Sequence, residues 1–404
     1  DSRHLALSRS LWDTHLQSTA FLEVISSDGS ERKSLLSSPV LGPVVAWLPG
    51  NRLVYTLQEP DPNRGDNNAW LLQMDASLNT SGNPLRLTRG HGWISGMTAT
   101  SDGKRLSLLR STWSGHVFLA RLSSDQNRIL GLRRLTLEES QDLPTAWTPD
   151  SKAVLFNSDR NGHSEIFKQA VNETQPQLLV SSANNSILPR LTPLGNEVIY
   201  QSVVRDAPPN TEVSVMAVPL RGGVPHKIVS MPGIGNVECA RHPADVCVLH
   251  AGTGNRRTFF RLNLKSGETS ELMHVDGEAT VNWGLSPDGS RLVVAPYSPD
   301  NNILDLYSMA SGQSARIAIK GGNGIATVDW ASDSKSLFVG TMDRTGHIAL
   351  LHVTLDGTAH TLREGVSPAL CGCPYWAIQS PDGKWAAIKQ PDGSSNVWTL
   401  QDFY

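Results

Sequence analysis

Four cysteines and twelve histidines are the residues of this chain whose types could carry redox or metal chemistry, and their spacing limits what that chemistry can be. Cys239 and Cys247 flank a turn, His242-Pro243-Ala244-Asp245, between two apolar runs. They can therefore face one another across a hairpin and close a disulfide, with two buried thiols as the alternative. Cys371-Gly372-Cys373 puts two sulfurs on one face of a strand, too far apart to bond unless Gly372 permits a bulge. A disulfide, free thiols and a metal pair all stay open there, although no His or carboxylate cluster accompanies it and no metal site is expected. An even cysteine count without a Cys-x-x-Cys favours an oxidising, extracytoplasmic compartment: periplasm, cell surface or exterior.

Three of the histidines, His116, His163 and His347, each follow a glycine at a corresponding place and read as turn residues rather than ligands. Gly-x-Ser-x-Gly, His-Glu-x-x-His, a phosphate-binding Gly-x-x-x-x-Gly-Lys and Cys-x-x-Cys-His are all missing, so no catalytic residue and no cofactor is expected. What is left is binding. Trp93, Trp113, His116, Arg160, His163, Arg344, His347, Tyr375 and Trp376 are the candidates for a ligand or partner surface, since Trp, Tyr and Arg contribute disproportionately to recognition.

The elements that must position these residues follow from the turns. Gly (34) and Pro (24) are spread along the chain and charged residues are only 18%, which argues for short strands joined by tight turns. Eight times an apolar run meets a Ser/Thr-Pro-Asp-Gly-like turn and a second apolar run follows. Thr148-Pro149-Asp150-Ser151, Ser286-Pro287-Asp288-Gly289 and Ser380-Pro381-Asp382-Gly383 are the clearest. The proline-equivalent positions 49, 101, 149, 193, 243, 287, 332 and 381 recur about every 47 residues, the length of one four-stranded propeller blade. The third repeat divides into strands Leu143 to Trp147, Ala153 to Asn157, Ser164 to Ala170 and Gln177 to Val180. Trp47, Trp147, Trp283 and Trp330 all end a first strand, so their recurrence reads as blade packing.

Leu143-Pro144-Thr145-Ala146-Trp147-Thr148-Pro149-Asp150-Ser151-Lys152, then Phe156-Asn157-Ser158-Asp159-Arg160-Asn161-Gly162, then Glu165-Ile166-Phe167, resembles the repeat of TolB-like bacterial β-propellers. The closing Ser380-Pro381-Asp382-Gly383-Lys384-Trp385 with Ser395-Asn396-Val397-Trp398-Thr399-Leu400 is similar to the last blade of propellers in bacterial sensor kinases and winged-helix regulators. The resemblance implies a propeller that binds or senses, and names no ligand.

The expected fold is all-β, a propeller of four-stranded blades, eight in number with seven or nine as alternatives. Residues 31–404 would form one domain, closed by pairing of the 31–36 strand with the C-terminal blade, and residues 1–30 would be extra strands from a partial repeat. Unpaired edges in 3–25 could pair with a neighbouring subunit. A net charge of −3 without basic runs argues against nucleic acid. The apolar stretch 34–51 is broken by Pro39, Gly42, Pro43 and Pro49 and cannot span a bilayer as a helix. The expected function is a non-catalytic extracytoplasmic binding, sensing or interaction scaffold. A self-assembling structural subunit and a polysaccharide lyase or hydrolase are the alternatives, the lyase requiring a metal-binding cluster among His116, His163, His242 and His250.

Overall fold

The computed structural model describes residues 3–12, 18–60, 65–205, 211–252, 256–276, 281–296, 298, 300–322, 324–368 and 373–403. Among them every regular element is a strand, and no helix is long and apolar enough to cross a membrane. Strands β1 (His4–Trp12), β2 (Ser18–Ser26) and β3 (Arg32–Ser38) form one antiparallel sheet; β4 (Leu41–Leu48), β5 (Arg52–Gln58), β6 (Asn67–Met74) and β7 (Thr80–Arg86) form the next. β8 (Trp93–Ala99) pairs with the first half of β9 (Arg105–Leu122), and the second half of β9 pairs with β10 (Ile129–Arg134).

Five four-stranded sheets follow in chain order. The first two are β11 (Leu143–Trp147), β12 (Ala153–Ser158), β13 (Glu165–Ala170) and β14 (Gln177–Val180), then β15 (Asn185–Leu191), β16 (Glu197–Val203), β17 (Glu212–Pro219) and β18 (His226–Pro232). The third is β19 (Ile234–Cys239), β20 (Cys247–Ala251), β21 (Arg256–Leu262) and β22 (Thr269–Asp276). The fourth and fifth are β23 (Val281–Leu285), β24 (Arg291–Pro296), β25 (Ile303–Ser308) and β26 (Ser314–Ala318), then β27 (Ile325–Trp330), β28 (Ser336–Met342), β29 (His347–Thr354) and β30 (Ala359–Val366). β31 (Trp376–Gln379) and β32 (Trp385–Gln401) return to pair with β9, giving the order β10-β9-β32-β31.

The chain divides into two compact units, Asp1–Trp113 with Gly393–Tyr404, and Ser114–Asp392. This corrects the single domain over 31–404. The strand read as the seal, within β3, pairs with β2, and β32 pairs with β9 and β31. Nor is the segment before residue 31 surplus: β1 and β2 complete the sheet that holds β3, and Leu22 and Val24 are buried with Leu53 and Tyr55. In the larger unit β11 packs against β15 and β31, β15 against β19, β19 against β23, β23 against β27, and β27 against β31.

The local chemistry of the hairpins explains why they recur. In the 148–153 turn Thr148 Oγ1 donates to Asp150 Oδ1 at 2.6 Å, the Lys152 amide donates to the same oxygen at 3.1 Å, and the Ala153 amide donates to Thr148 Oγ1 at 2.9 Å. Ser286 with Asp288 and Ser380 with Asp382 repeat the first bond at 2.6 Å. The aspartates are thus turn caps. Gly289 and Gly383 follow them with φ of 71° and 74°, where a side chain would be strained.

The continuous apolar runs are buried on both faces, as expected of strands covered on either side. Leu292 to Ala295 and Leu337 to Val339 are at most 1% exposed, and each Leu, Val and Phe among them contributes about 1.5–3 kcal/mol by leaving water. Outer strands such as β26 are exposed at most positions. The recurrent tryptophans of this unit stitch neighbouring sheets: Trp147 Nε1 donates to the Ile378 carbonyl and Trp330 Nε1 to the Gly284 carbonyl, both at 3.0 Å.

Candidate functional site

Aligned on their turns, the inner strands carry Ala146, Arg190, Gly284, Asp329 and Ile378 at the third position before the proline equivalent. Two charges in that small and apolar column are the anomaly. The structure brings them together in a cavity of about 330 Å³ inside the 114–392 unit. Its lining includes residues of all six inner strands: Thr145 and Trp147 of β11, Arg190 of β15, Glu238 of β19, Leu285 of β23, Asp329 and Trp330 of β27, and Gln379 of β31.

Arg190 is the centre of this cluster. Its Nη2 lies 2.9 Å from Glu238 Oε1 and 3.7 Å from Asp329 Oδ2, and its Nη1 donates to the Thr145 carbonyl. Glu238 has both oxygens engaged, since Oε1 also accepts from Asn236 Nδ2 at 3.2 Å and Oε2 accepts from the Leu285 amide at 2.8 Å. Enclosure pushes the Asp329 carboxyl up to about 7, with Glu238 adding to the rise while Arg190, the Trp330 amide and Arg241 oppose it. Burial lowers the Arg241 guanidinium, against the pull of Asp329. The arrangement is an ion-paired floor with tryptophan, leucine and isoleucine walls, suited to holding a small polar-ended molecule.

Cys239 lines the same cavity. It faces Cys247 in register across β19 and β20, and the two are joined as the sequence suggests, with Cα atoms 4.0 Å apart. With a separation of only 8 residues, the small loop makes the bond worth about 2 kcal/mol. Replacing both cysteines by alanine is accordingly expected to lower the unfolding free energy by about 2 kcal/mol in urea titrations. An unchanged midpoint under oxidising conditions would contradict that role. Cys373 is also disulfide-bonded, and Cys371 lies outside the described residues.

The nine residues singled out from the sequence do not form one constellation. Trp93 opens β8 and Trp113 closes the smaller unit, each half-buried. His116 is buried, accepts from Arg134 Nη2 at 3.0 Å and bonds Ser114 Oγ at 2.9 Å, and burial lowers its pKa. Arg160 lies over the rings of Phe156 and Phe167 and pairs with the buried Asp142 at 3.1 Å. His163 Nε2 meets the Ser182 carbonyl at 2.8 Å. Arg344 forms an exposed ion pair with Asp300, and His347, exposed, donates its amide to Asp343 at 3.1 Å. Tyr375 is core, its ring 5.9 Å from the Arg363 guanidinium, while Trp376 is half-buried with an unpartnered Nε1. Arg190 and Asp329 were legible only as charges in an apolar column, and Glu238 and Arg241 stand outside that column. Among the described residues no three His, Cys, Asp or Glu side chains converge as a metal site, and His250 lies between Phe259 and Trp283.

No family model matches the sequence. An uncharacterised protein of Agrobacterium fabrum is 29% identical over 93 residues, 22% of this chain and 32% of that protein, so the chain spans about a third of this relative's length. A TolB-type protein from Agrobacterium tumefaciens superposes with a TM-score of 0.53 at 14% identity, covering 69% of this chain and 98% of that one. The fold is that of a TolB-like propeller. TolB from Acinetobacter baumannii is a looser match, with a TM-score of 0.31 and 18% identity over 68% of this chain and 65% of that one. An oligogalacturonate lyase in complex with manganese gives 0.37 and 13% over 87% and 97%. These looser likenesses add nothing to what the TolB-like fold establishes.

Proposed function

We propose that residues 114–392 close as a ring of six blades, not eight, and act as a non-catalytic, extracytoplasmic binding and sensing module whose ligand enters the central cavity. The observation that carries this reading is that one cavity is lined from all six inner strands and holds ionisable side chains at its centre. The packing order from β11 round to β31 and back to β11 supports closure. The β10-β9-β32-β31 sheet, built from both ends of the unit, would be the seal, removing sheet edges that would otherwise invite association. Arg190, Glu238 and Asp329 engage one another and the backbone, an arrangement that holds a ligand rather than turns it over. The Cys239–Cys247 disulfide favours an oxidising compartment. A sensing role also fits the resemblance of the closing repeat to sensor-kinase and regulator propellers.

Trp147 and Trp330 line the cavity, so a ligand entering it should change tryptophan emission and raise the melting temperature. A small-molecule screen read by both signals is expected to yield binders that are recovered chemically unchanged. A binder that is converted, with conversion abolished by substitution of Arg190 or Asp329, would contradict the non-catalytic reading.

A further inference from the structure

We propose that the cavity of the 114–392 unit takes a small carboxylate ligand, its carboxylate seated on Arg241 and its apolar body against Trp147 and Trp330. The inference rests on the cavity being the binding site and adds the chemistry of what it binds. Arg241 lines the cavity, yet its guanidinium makes no hydrogen bond or ion pair to any described residue, and Asp329 acts on it only through space. A half-buried cation without a directional partner is costly, and a carboxylate fits a guanidinium with two parallel hydrogen bonds. Nearby, Arg190 is 9% exposed and its Nε is buried with no hydrogen-bond partner.

The charge balance points the same way. Two guanidinium groups face two carboxyls, but Glu238 has both oxygens committed to Arg190, Asn236 and the Leu285 amide. Asp329 is the remaining counter-charge and is only partly ionised near neutral pH. The site therefore carries excess positive charge that an anion neutralises and a cation would aggravate. A volume of about 330 Å³ sits at the small end of ligand pockets and suits an organic acid of modest size. The walls supplied by Trp147, Leu285, Trp330 and Ile378 favour one with an apolar or aromatic body.

The test uses the intact chain and three probes of one shape: phenylacetate, its neutral amide phenylacetamide, and 2-phenylethylammonium, each titrated calorimetrically. Phenylacetate is expected to bind roughly ten- to a hundredfold more tightly than the amide, with no binding of the ammonium. Arg241→Met should erase the preference for the acid, and Arg241→Lys should retain part of it, with melting temperature reporting that both variants fold. Equal binding of acid and amide, or an Arg241→Met variant that keeps the preference, overturns the carboxylate assignment and leaves the cavity as a binding site. No heat and no tryptophan signal from any probe up to about 10 mM overturns both.

Discussion

Replacing Glu238 by alanine should cost about 3–5 kcal/mol of stability, more than any other single substitution among the polar groups of the cavity. The change strips the carboxylate from a nearly buried Arg190, whose remaining anionic neighbour is Asp329 at 3.7 Å, and it leaves the Leu285 amide without its acceptor. An uncompensated buried charge is far more costly than a missing neutral pair. For that reason the double substitution Arg190→Met with Glu238→Leu is expected to recover most of the loss. Urea titrations of the wild type, the single variant and the double variant decide it. A single variant within about 1 kcal/mol of wild type would mean that Arg190 has water or another partner to turn to.

A second large effect concerns acid. His250 is buried beside Phe259 and Trp283, and its Nδ1 accepts the Trp283 indole N–H at 2.7 Å. The ring is therefore held neutral. Burial, with a smaller contribution from Arg257, pushes its pKa down to about 4. Unfolded histidine titrates near 6.5, so as pH falls the unfolded chain takes up the proton before the folded one. The stability this group contributes is complete above pH 6.5 and drains away as pH falls toward 4, by about 3 kcal/mol. His250→Gln keeps a neutral acceptor for Trp283 and should be less stable than wild type at pH 7. It should then lose about 3 kcal/mol less than wild type between pH 6.5 and 4. Parallel pH profiles for the two proteins would show that His250 is not the titrating group.

The sequence made the local structure legible and left the long-range pairing hidden. All eight turn motifs sit at hairpins, from Leu48–Arg52 to Ser380–Lys384, and at Thr100, Thr148, Ser286 and Ser380 the hydroxyl and the Asp two residues on satisfy the backbone within the turn itself. In the third repeat the expected first and fourth strands are β11 and β14 to the residue. Closure was different. Ser114-Gly115-His116 read as a loop between two strands by analogy with Gly162-His163, whereas β9 runs straight through it. β32 likewise runs unbroken from Trp385 to Gln401. In both places pairing with a strand more than 250 residues away overrides the local signal, and no single-chain pattern of turns records which distant strand that is. The cavity charges were missed for a related reason. Arg190, Glu238 and Asp329 are isolated in three separate strands, and only the packing of inner strands makes them neighbours.

The way the larger unit closes is tested most directly by a crystal structure of the intact chain. Six inner strands, β11, β15, β19, β23, β27 and β31, are expected around a cavity containing Arg190, Glu238 and Asp329, with Trp385–Asp392 hydrogen-bonded to Ser114–Leu122. A single ring of eight, with Arg32–Ser38 sealed against the C-terminal hairpin and Arg190 apart from Asp329, would contradict it.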